Sequence, residues 1–256
     1  MKTNLMGAAL LGVLLTFGAV GCSSGKPGFR RETMRPDEVH DFTVLYQSNC
    51  SACHGDRGMN GAALPLDNPV YLTWAGHDRI VGIVSNGVPH RLMPAFGQGG
   101  GGLLTNRQVE DIVNGMISHW TRPDILNGAN APAYTPASKG DPTQGKAAFQ
   151  TYCARCHGAD GKGVSPGNSA ATRSASASRT GSAVGSIVDP TYLSLISSQG
   201  LRDIIVSGLP EEGMPDWRGD VTGKPMTGKD VTDIVVWLVS NRVEFPGQPF
   251  PSSQQH

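Results

Sequence analysis

The feature of this sequence that most constrains its fold is a five-residue motif, Cys-x-x-Cys-His, that occurs twice. The first copy spans 50–54, and the second spans 153–157, which is 103 residues further along the chain. Each copy supplies two thiols and one imidazole from five consecutive residues. Similarity between the two halves continues after the motif, so the chain of 256 residues contains two versions of one unit.

This motif is the attachment signature for c-type haem, since each thiol can add across one haem vinyl group and the histidine can coordinate iron. A single Cys-x-x-Cys pair also occurs in redox dithiol and zinc sites. A four-cysteine zinc site is disfavoured here because the two pairs lie in separate repeats. The sequence therefore predicts two covalently bound haem c groups. The predicted attachment residues are Cys50, Cys53, His54, Cys153, Cys156 and His157.

A second shared segment follows each motif. Residues 69–97 match the segment that begins at Pro190, at a constant offset of 121 residues, and this match pairs Met93-Pro94 with Met214-Pro215. The second copy contains 18 extra residues between its motif and this segment. They fall in 165–186, a tract of Ser, Ala, Gly and Thr that is typical of a flexible surface insertion.

Helical patterns dominate both copies. Thr105 to Gln108 has the form of a capping box, and apolar residues then recur at helical spacing as far as Trp120. The segment after Thr227 repeats this pattern, and a shorter helix is predicted to lead into each haem motif. Strand patterns are scarce, so the predicted fold class is all-α.

The order Cys-x-x-Cys-His, Met-Pro and then an amphipathic helix resembles the class I cytochrome c fold, here as two tandem domains that each wrap around one haem. The resemblance implies two axial ligand pairs, which are His54 with Met93 and His157 with Met214. It also implies that Pro65 and Pro166 supply carbonyls that orient the ligating histidines. His90 is a rival to Met93 in the same loop. Other methionines are expected to be structural, namely Met59, Met116 and Met226.

The N-terminal segment is typical of an exported protein. An apolar run from Met6 to Val20 fits a signal peptide, and the small residues before Cys22 resemble a bacterial lipobox, so Cys22 is the predicted lipidation site. The alternative is ordinary cleavage that leaves Cys22 as a free thiol. The predicted organisation is a signal peptide (1–21), a tether (22–36), a first domain (37–122), a linker (123–140), a second domain (141–245) and a tail (246–256).

Charge balance limits the choice of partners. The 21 basic and 21 acidic residues give no net field that would attract nucleic acid, so none is expected as a partner. Charge does differ locally, since His90 and Arg91 precede Met93. Acidic residues surround Met214, namely Glu211, Glu212, Asp216 and Asp220, with Arg218 against them. Opposite local potentials are a hypothesis for sorting two redox partners, and ordinary scatter of surface charge is the alternative.

Together these features predict a lipid-anchored dihaem cytochrome on the periplasmic side of a bacterial membrane. Its expected function is electron transfer between respiratory or photosynthetic components, such as a quinol-oxidising complex and a terminal oxidase, as a carrier or as a subunit. Histidine and methionine together leave iron no open position for substrate, so enzymatic activity is not the favoured interpretation. The alternatives are a dihaem oxidoreductase and the electron-accepting subunit of a periplasmic dehydrogenase.

Overall fold

A computed structural model describes residues 34–89, 91–164, 184–219, 221 and 223–243. The chain divides into two compact units, Met1–Glu38 and Val39–His256. In the first unit the described part contains a short 3-10 turn, Pro36–Glu38, beside which Arg35 forms an ion pair with Glu38 at 2.7 Å. The predicted signal peptide, Cys22, most of the 165–186 insertion and the tail lie outside the described residues.

In its described ranges, the second unit contains five α-helices from each copy of the repeat. Those of the first copy are α1 (Phe42–Asn49), α2 (Ser51–His54), α3 (Pro69–Ala75), α4 (His77–Asn86) and α5 (Asn106–Trp120). Those of the second copy are α6 (Pro142–Tyr152), α7 (Ala154–His157), α8 (Pro190–Leu195), α9 (Ser198–Ser207) and α10 (Gly228–Val239). Across the described ranges there is no β-strand, and the β-type pairing is confined to isolated bridges. The predicted all-α class is confirmed.

Local capping explains where the longest helices begin. Thr105 and Gln108 form a complete capping box at the start of α5, and Thr227 with Asp230 forms another at the start of α10. Each pair satisfies backbone N–H groups of the first turn that have no partner inside the helix. Asn68 and Asp189 cap α3 and α8 through a side-chain oxygen alone, each before a proline in the first turn.

Two hydrophobic cores form, one around each copy. In the first core, α5 buries Val109, Ile112 and Val113 completely against α1, α3 and α4. In the second core, α10 packs closely along α6, and Phe149 is fully buried between them. Val70 of α3 belongs to this second core although it lies in the first copy, so the copies share a packed contact. None of the helices in the described ranges is both long and apolar enough to cross a bilayer.

The segment between the copies is held by hydrogen bonds. Trp74 of α3 donates its indole N–H to the Pro132 carbonyl at 2.6 Å. Arg202 of α9, which is 2% exposed, donates to the carbonyls of Ala133 and Tyr134. The predicted boundaries 37–122, 123–140 and 141–245 remain predictions, but the segment between the copies contacts both of them.

Candidate haem-binding sites

The first Cys-x-x-Cys-His motif lies where α1 ends and α2 begins. Cys50 is the C-cap of α1 and the N-cap of α2, and the His54 N–H donates to the Cys50 carbonyl at 3.0 Å. Gly55 then turns the chain with a φ of 81°, a conformation that favours glycine. A Cβ at this position would meet the Met59 carbonyl oxygen. The motif is therefore a single helical turn that stops abruptly after its histidine.

The second motif has the same geometry. Cys153 joins α6 to α7, the His157 N–H donates to the Cys153 carbonyl at 3.0 Å, and Gly158 has a φ of 77°. Because backbone bonds and glycine conformations agree in the two copies, both histidines have the same relation to their cysteines.

The imidazole of His54 is held in one tautomer. Its Nδ1 lies 2.7 Å from the Leu64 carbonyl oxygen. A carbonyl only accepts, so Nδ1 carries the proton and Nε2 has a free lone pair for iron. Burial lowers the pKa of His54, which keeps the ring neutral as metal coordination requires. The resemblance implied the Pro65 carbonyl as the orienting group, and this was wrong by one residue.

The second histidine is half-buried, as the first is. Burial also lowers the pKa of His157. Its Nδ1 is buried and finds no hydrogen-bond partner among the residues that the structure describes. Pro166, the carbonyl implied by the resemblance, lies outside the described residues.

The four thiols are available for covalent attachment. None of them is in a disulfide: Cys50, Cys153 and Cys156 are half-buried and Cys53 is exposed. Burial is the main cause that raises the pKa of both Cys50 and Cys153 to about 12, so these two sulfurs lie in apolar surroundings as neutral thiols. Unpaired thiols, of which Cys50 and Cys153 pack against the hydrophobic cores, fit a covalently bound haem beside each histidine.

The loops that contain Met93 and Met214 are built alike. Each begins with a glycine in the left-handed region, Gly87 or Gly208, both with a φ of 69°. A Cβ on either glycine would meet the methionine carbonyl within 3 Å. The Val88 N–H donates to the Met93 carbonyl at 3.0 Å, and the Leu209 N–H donates to that of Met214 at 2.9 Å.

Both candidate methionine ligands are half-buried, and Met93 packs against the first core. Two of the methionines expected to be structural are buried core residues, Met116 and Met226. His90, the rival ligand, lies outside the described residues. The assignment of Met93 and Met214 as axial ligands remains a prediction.

Some of the charged residues in the two loops form contacts within the protein, whereas the sequence hypothesis treated them as surface charge. Arg91 is half-buried and donates to the Ser194 carbonyl in the second copy at 2.6 Å, so it is not a free surface charge. Asp216 forms an ion pair with Arg218, with 2.6 Å between a guanidinium nitrogen and a carboxylate oxygen, and this contact raises the pKa of Arg218. Glu211 and Glu212 are exposed. The contact of Arg91 across the copies is one that sequence reasoning missed.

Two helical domains, each with a haem attachment motif and a matching methionine loop, define a c-type cytochrome that binds covalently attached haem c. Its general function is electron transfer. The family model described as "Cytochrome C oxidase, cbb3-type, subunit III" matches residues 24–114 and 140–238. The chain belongs to this family.

Two curated relatives are also subunits of cbb3-type oxidases. A cbb3-type cytochrome c oxidase subunit CcoP of Azospirillum sp. (strain B510) is 32% identical over 131 residues, which are 46% of this chain and 39% of that protein. A cbb3-type subunit FixP of Sinorhizobium medicae (strain WSM419) is 29% identical over 146 residues, which are 52% of this chain and 45% of that protein. The chain thus spans less than half the length of these relatives.

A solved structure covers most of the chain at low similarity. It is a Kuenenia stuttgartiensis reducing HAO-like protein complex, Kustc0457/Kustc0458, at 17% identity and a TM-score of 0.42. The match covers 80% of this chain and 97% of that chain. Similarity at this level supports no inference about function.

Proposed function

We propose that this protein passes single electrons between a quinol-oxidising complex and a terminal oxidase, as a mobile carrier or as a subunit of one of them. The proposed residues for the first haem are Cys50, Cys53, His54 and Met93, and those for the second are Cys153, Cys156, His157 and Met214. When bound, each haem supplies a one-electron iron couple. The relatives are subunits of cbb3-type oxidases, and this supports a terminal oxidase as the acceptor.

One observation carries this proposal: the same set of groups is built twice in one compact unit. A neutral, partly buried imidazole follows two unpaired thiols, and a half-buried methionine ends a loop that a left-handed glycine begins. Imidazole and thioether would fill both axial positions and hold the site closed to substrate. This ligand pair also favours a comparatively high reduction potential, which suits an electron carrier near a terminal oxidase.

The ligand assignment is tested by replacing each methionine in the protein that carries both haems. Ferric haem shows a weak far-red absorption band when methionine sulfur is an axial ligand. We expect Met93→Ala and Met214→Ala each to remove about half of this band, and the double variant to remove it all. Met59→Ala is the matched control and should leave the band intact.

Haem content by alkaline pyridine spectra shows whether each variant still contains two haems. A Met93→Ala protein with two haems and a full band would overturn the assignment of Met93. If His90 were the ligand instead, the band would come from the second haem alone, so Met93→Ala would leave it unchanged and Met214→Ala would remove it completely.

The proposal places the protein on the periplasmic side of a bacterial membrane, anchored through lipid on Cys22. Several acyl chains hold a protein on a bilayer more firmly than one chain does. We expect the wild-type protein to sediment with membranes and Cys22→Ser to be released into the soluble periplasmic fraction with both haems in place. Equal membrane fractions for the two proteins would contradict the anchor.

A further inference from the structure

The two copies contact each other beside their methionine loops. Helix α3 of the first copy packs on α9 of the second, and Val70 of α3 is buried in the second core. The second methionine loop starts at Gly208, directly after α9 ends at Ser207. The end of α9 therefore brings the start of this loop to the surface of the first copy.

Asn68 connects the first copy to this point. Its side chain is 2% exposed and has two roles that fix its orientation. The side-chain oxygen accepts from the Tyr71 N–H at 3.0 Å, which caps α3. The side-chain nitrogen must then face the second copy, where it donates to the carbonyls of Gly208 at 3.1 Å and Ser207 at 3.3 Å.

Backbone hydrogen bonds connect the residue after Gly208 directly to Met214. Leu209 follows Gly208 and is paired with Met214 in both directions, through N–H to carbonyl distances of 2.9 and 3.0 Å. Gly208 also packs directly against the backbone of this loop, since a Cβ there would lie 2.7 Å from the Met214 carbonyl oxygen. Opening the Met214 loop therefore requires the Gly208 carbonyl to leave Asn68 or the loop to bend beyond it.

A second contact runs in the opposite direction. Arg91, in the first methionine loop, donates to the Ser194 carbonyl near the end of α8. Arg242 donates to the neighbouring carbonyls of Leu193 and Ile196. Carbonyls at a helix end have no partner inside the helix, so two arginines satisfy groups that would otherwise be unpaired. Each methionine loop is thus attached to the other copy.

We propose that the copies brace each other's methionine loops, with Asn68 as a positioning residue for Met214 and the Ser194 carbonyl as the anchor for the loop of Met93. The inference rests on the proposed function, since it takes both methionines as axial ligands. Its consequence is that methionine ligation in one domain depends on a side chain of the other domain.

The repeat itself supplies the sharpest variant. Asp189 caps α8 as Asn68 caps α3, so Asn68→Asp keeps the helix cap. It replaces the donor nitrogen by an oxygen that faces two carbonyl oxygens. We measure the imidazole concentration that displaces half of the far-red band in a Met93→Ala background, where the remaining band belongs to Met214. We expect Asn68→Asp to lower this concentration about fivefold or more, because two hydrogen bonds that resist loop opening are lost.

Two controls separate positioning from general destabilisation. Asp189→Asn makes the reciprocal exchange at the equivalent cap and should leave the titration unchanged. In a Met214→Ala background, where the band reports Met93, Asn68→Asp should also have no effect, whereas Arg91→Gln should lower the midpoint. An Asn68→Asp effect of equal size in both backgrounds would overturn the inference, since it would indicate a general loss of stability.

The outcomes also separate this inference from the ligand assignment. If Met214→Ala removes half of the band and Asn68→Asp leaves the Met214 titration unchanged, the bracing is refuted and the assignment stands. If Met214→Ala leaves the band complete, both fail. Asn68→Ala removes the same donors without adding a charge and should reproduce the shift, so the result does not depend on one substitution.

Discussion

The two histidines show how single backbone groups prepare a site for metal. At His54 a carbonyl one hydrogen bond away selects the tautomer whose Nε2 is free, and burial keeps that ring neutral. At His157 burial lowers the pKa of the ring, and Nδ1 has no hydrogen-bond partner among the described residues. A carbonyl on the imidazole is a group that tunes ligand basicity, so the Leu64 carbonyl makes His54 a stronger donor to iron.

Asn68 and Asp189 differ by one polar atom and have different partners. Both cap a short helix through a side-chain oxygen, so the cap alone does not distinguish them. The nitrogen of Asn68 adds two bonds to the other copy, whereas the described contacts of Asp189 stay within its own helix. This difference makes the contact between the copies asymmetric at the residue scale.

In each copy the first helix crosses the last helix, α1 with α5 and α6 with α10, and the two copies place the large residue of this contact on different helices. In the first copy Phe42 of α1 fills the crossing, and Gly115 of α5 makes room for it. In the second copy the equivalent residues are Gly145 of α6 and Trp237 of α10, so the large and small residues have changed sides. Close approach of the helices is kept, and one large ring fills the space in each domain.

Gly115→Ala tests this packing. Alanine is favoured over glycine inside a helix by up to about 1 kcal/mol, so propensity alone predicts higher stability. A Cβ at 115 would, however, lie 2.1 Å from the Phe42 ring. We expect the free energy of unfolding in guanidinium to fall by about 1–3 kcal/mol through overpacking.

Gly82→Ala is the matched control because a Cβ there meets nothing within 4 Å inside α4. This variant should gain up to about 1 kcal/mol. Phe42→Leu combined with Gly115→Ala should recover part of the loss. Gains of similar size at both glycines would show that the crossing does not constrain residue 115.

Sequence patterns predicted the structural features that depend on neighbouring residues and that occur in both copies. The capping boxes, the helix leading into each motif and the paired methionine loops all follow from short spacings, and the structure contains them. The Leu64 carbonyl was missed because its contact depends on how a loop returns to His54. Asn68 and Gly208 are 140 residues apart, and no periodicity records their contact.

At the scale of the whole molecule, the segment between the copies is part of the packing. Trp74 and Arg79 of the first copy contact Pro132 and Tyr134, the latter through a cation–π contact at 4.1 Å. Arg202 holds the same segment from the second copy. Composition alone indicated a linker, because proline, glycine and alanine give no period. Buried arginine donors on its carbonyls could not be read from that composition.

Asp203 lies at this junction and provides a pH-dependent test of it. The carboxylate is 6% exposed and accepts from Gln199 at 2.8 Å. Burial raises the pKa of Asp203 from 3.8 to about 6, and it outweighs the Gln199 hydrogen bond and the charges of Arg202 and Arg79, all of which lower this pKa. The folded protein therefore binds this proton more tightly than the unfolded chain. Between about pH 4 and pH 6 the carboxylate makes the free energy of unfolding fall as the pH rises.

Asp203→Asn removes this charge and keeps the side-chain size. The hydrogen bonds of Arg202 go to backbone carbonyls and to Thr232, so they do not require the carboxylate. The gap in unfolding free energy between the variant and the wild type should change in favour of the variant by up to about 3 kcal/mol as the pH rises from 4 to 7. Guanidinium titrations at each pH measure this gap, with the exposed Asp56→Asn as the control for removal of one surface charge. A gap that stays constant across this range would show that Asp203 titrates alike in the folded and unfolded chains, and that the junction of the copies tolerates its charge.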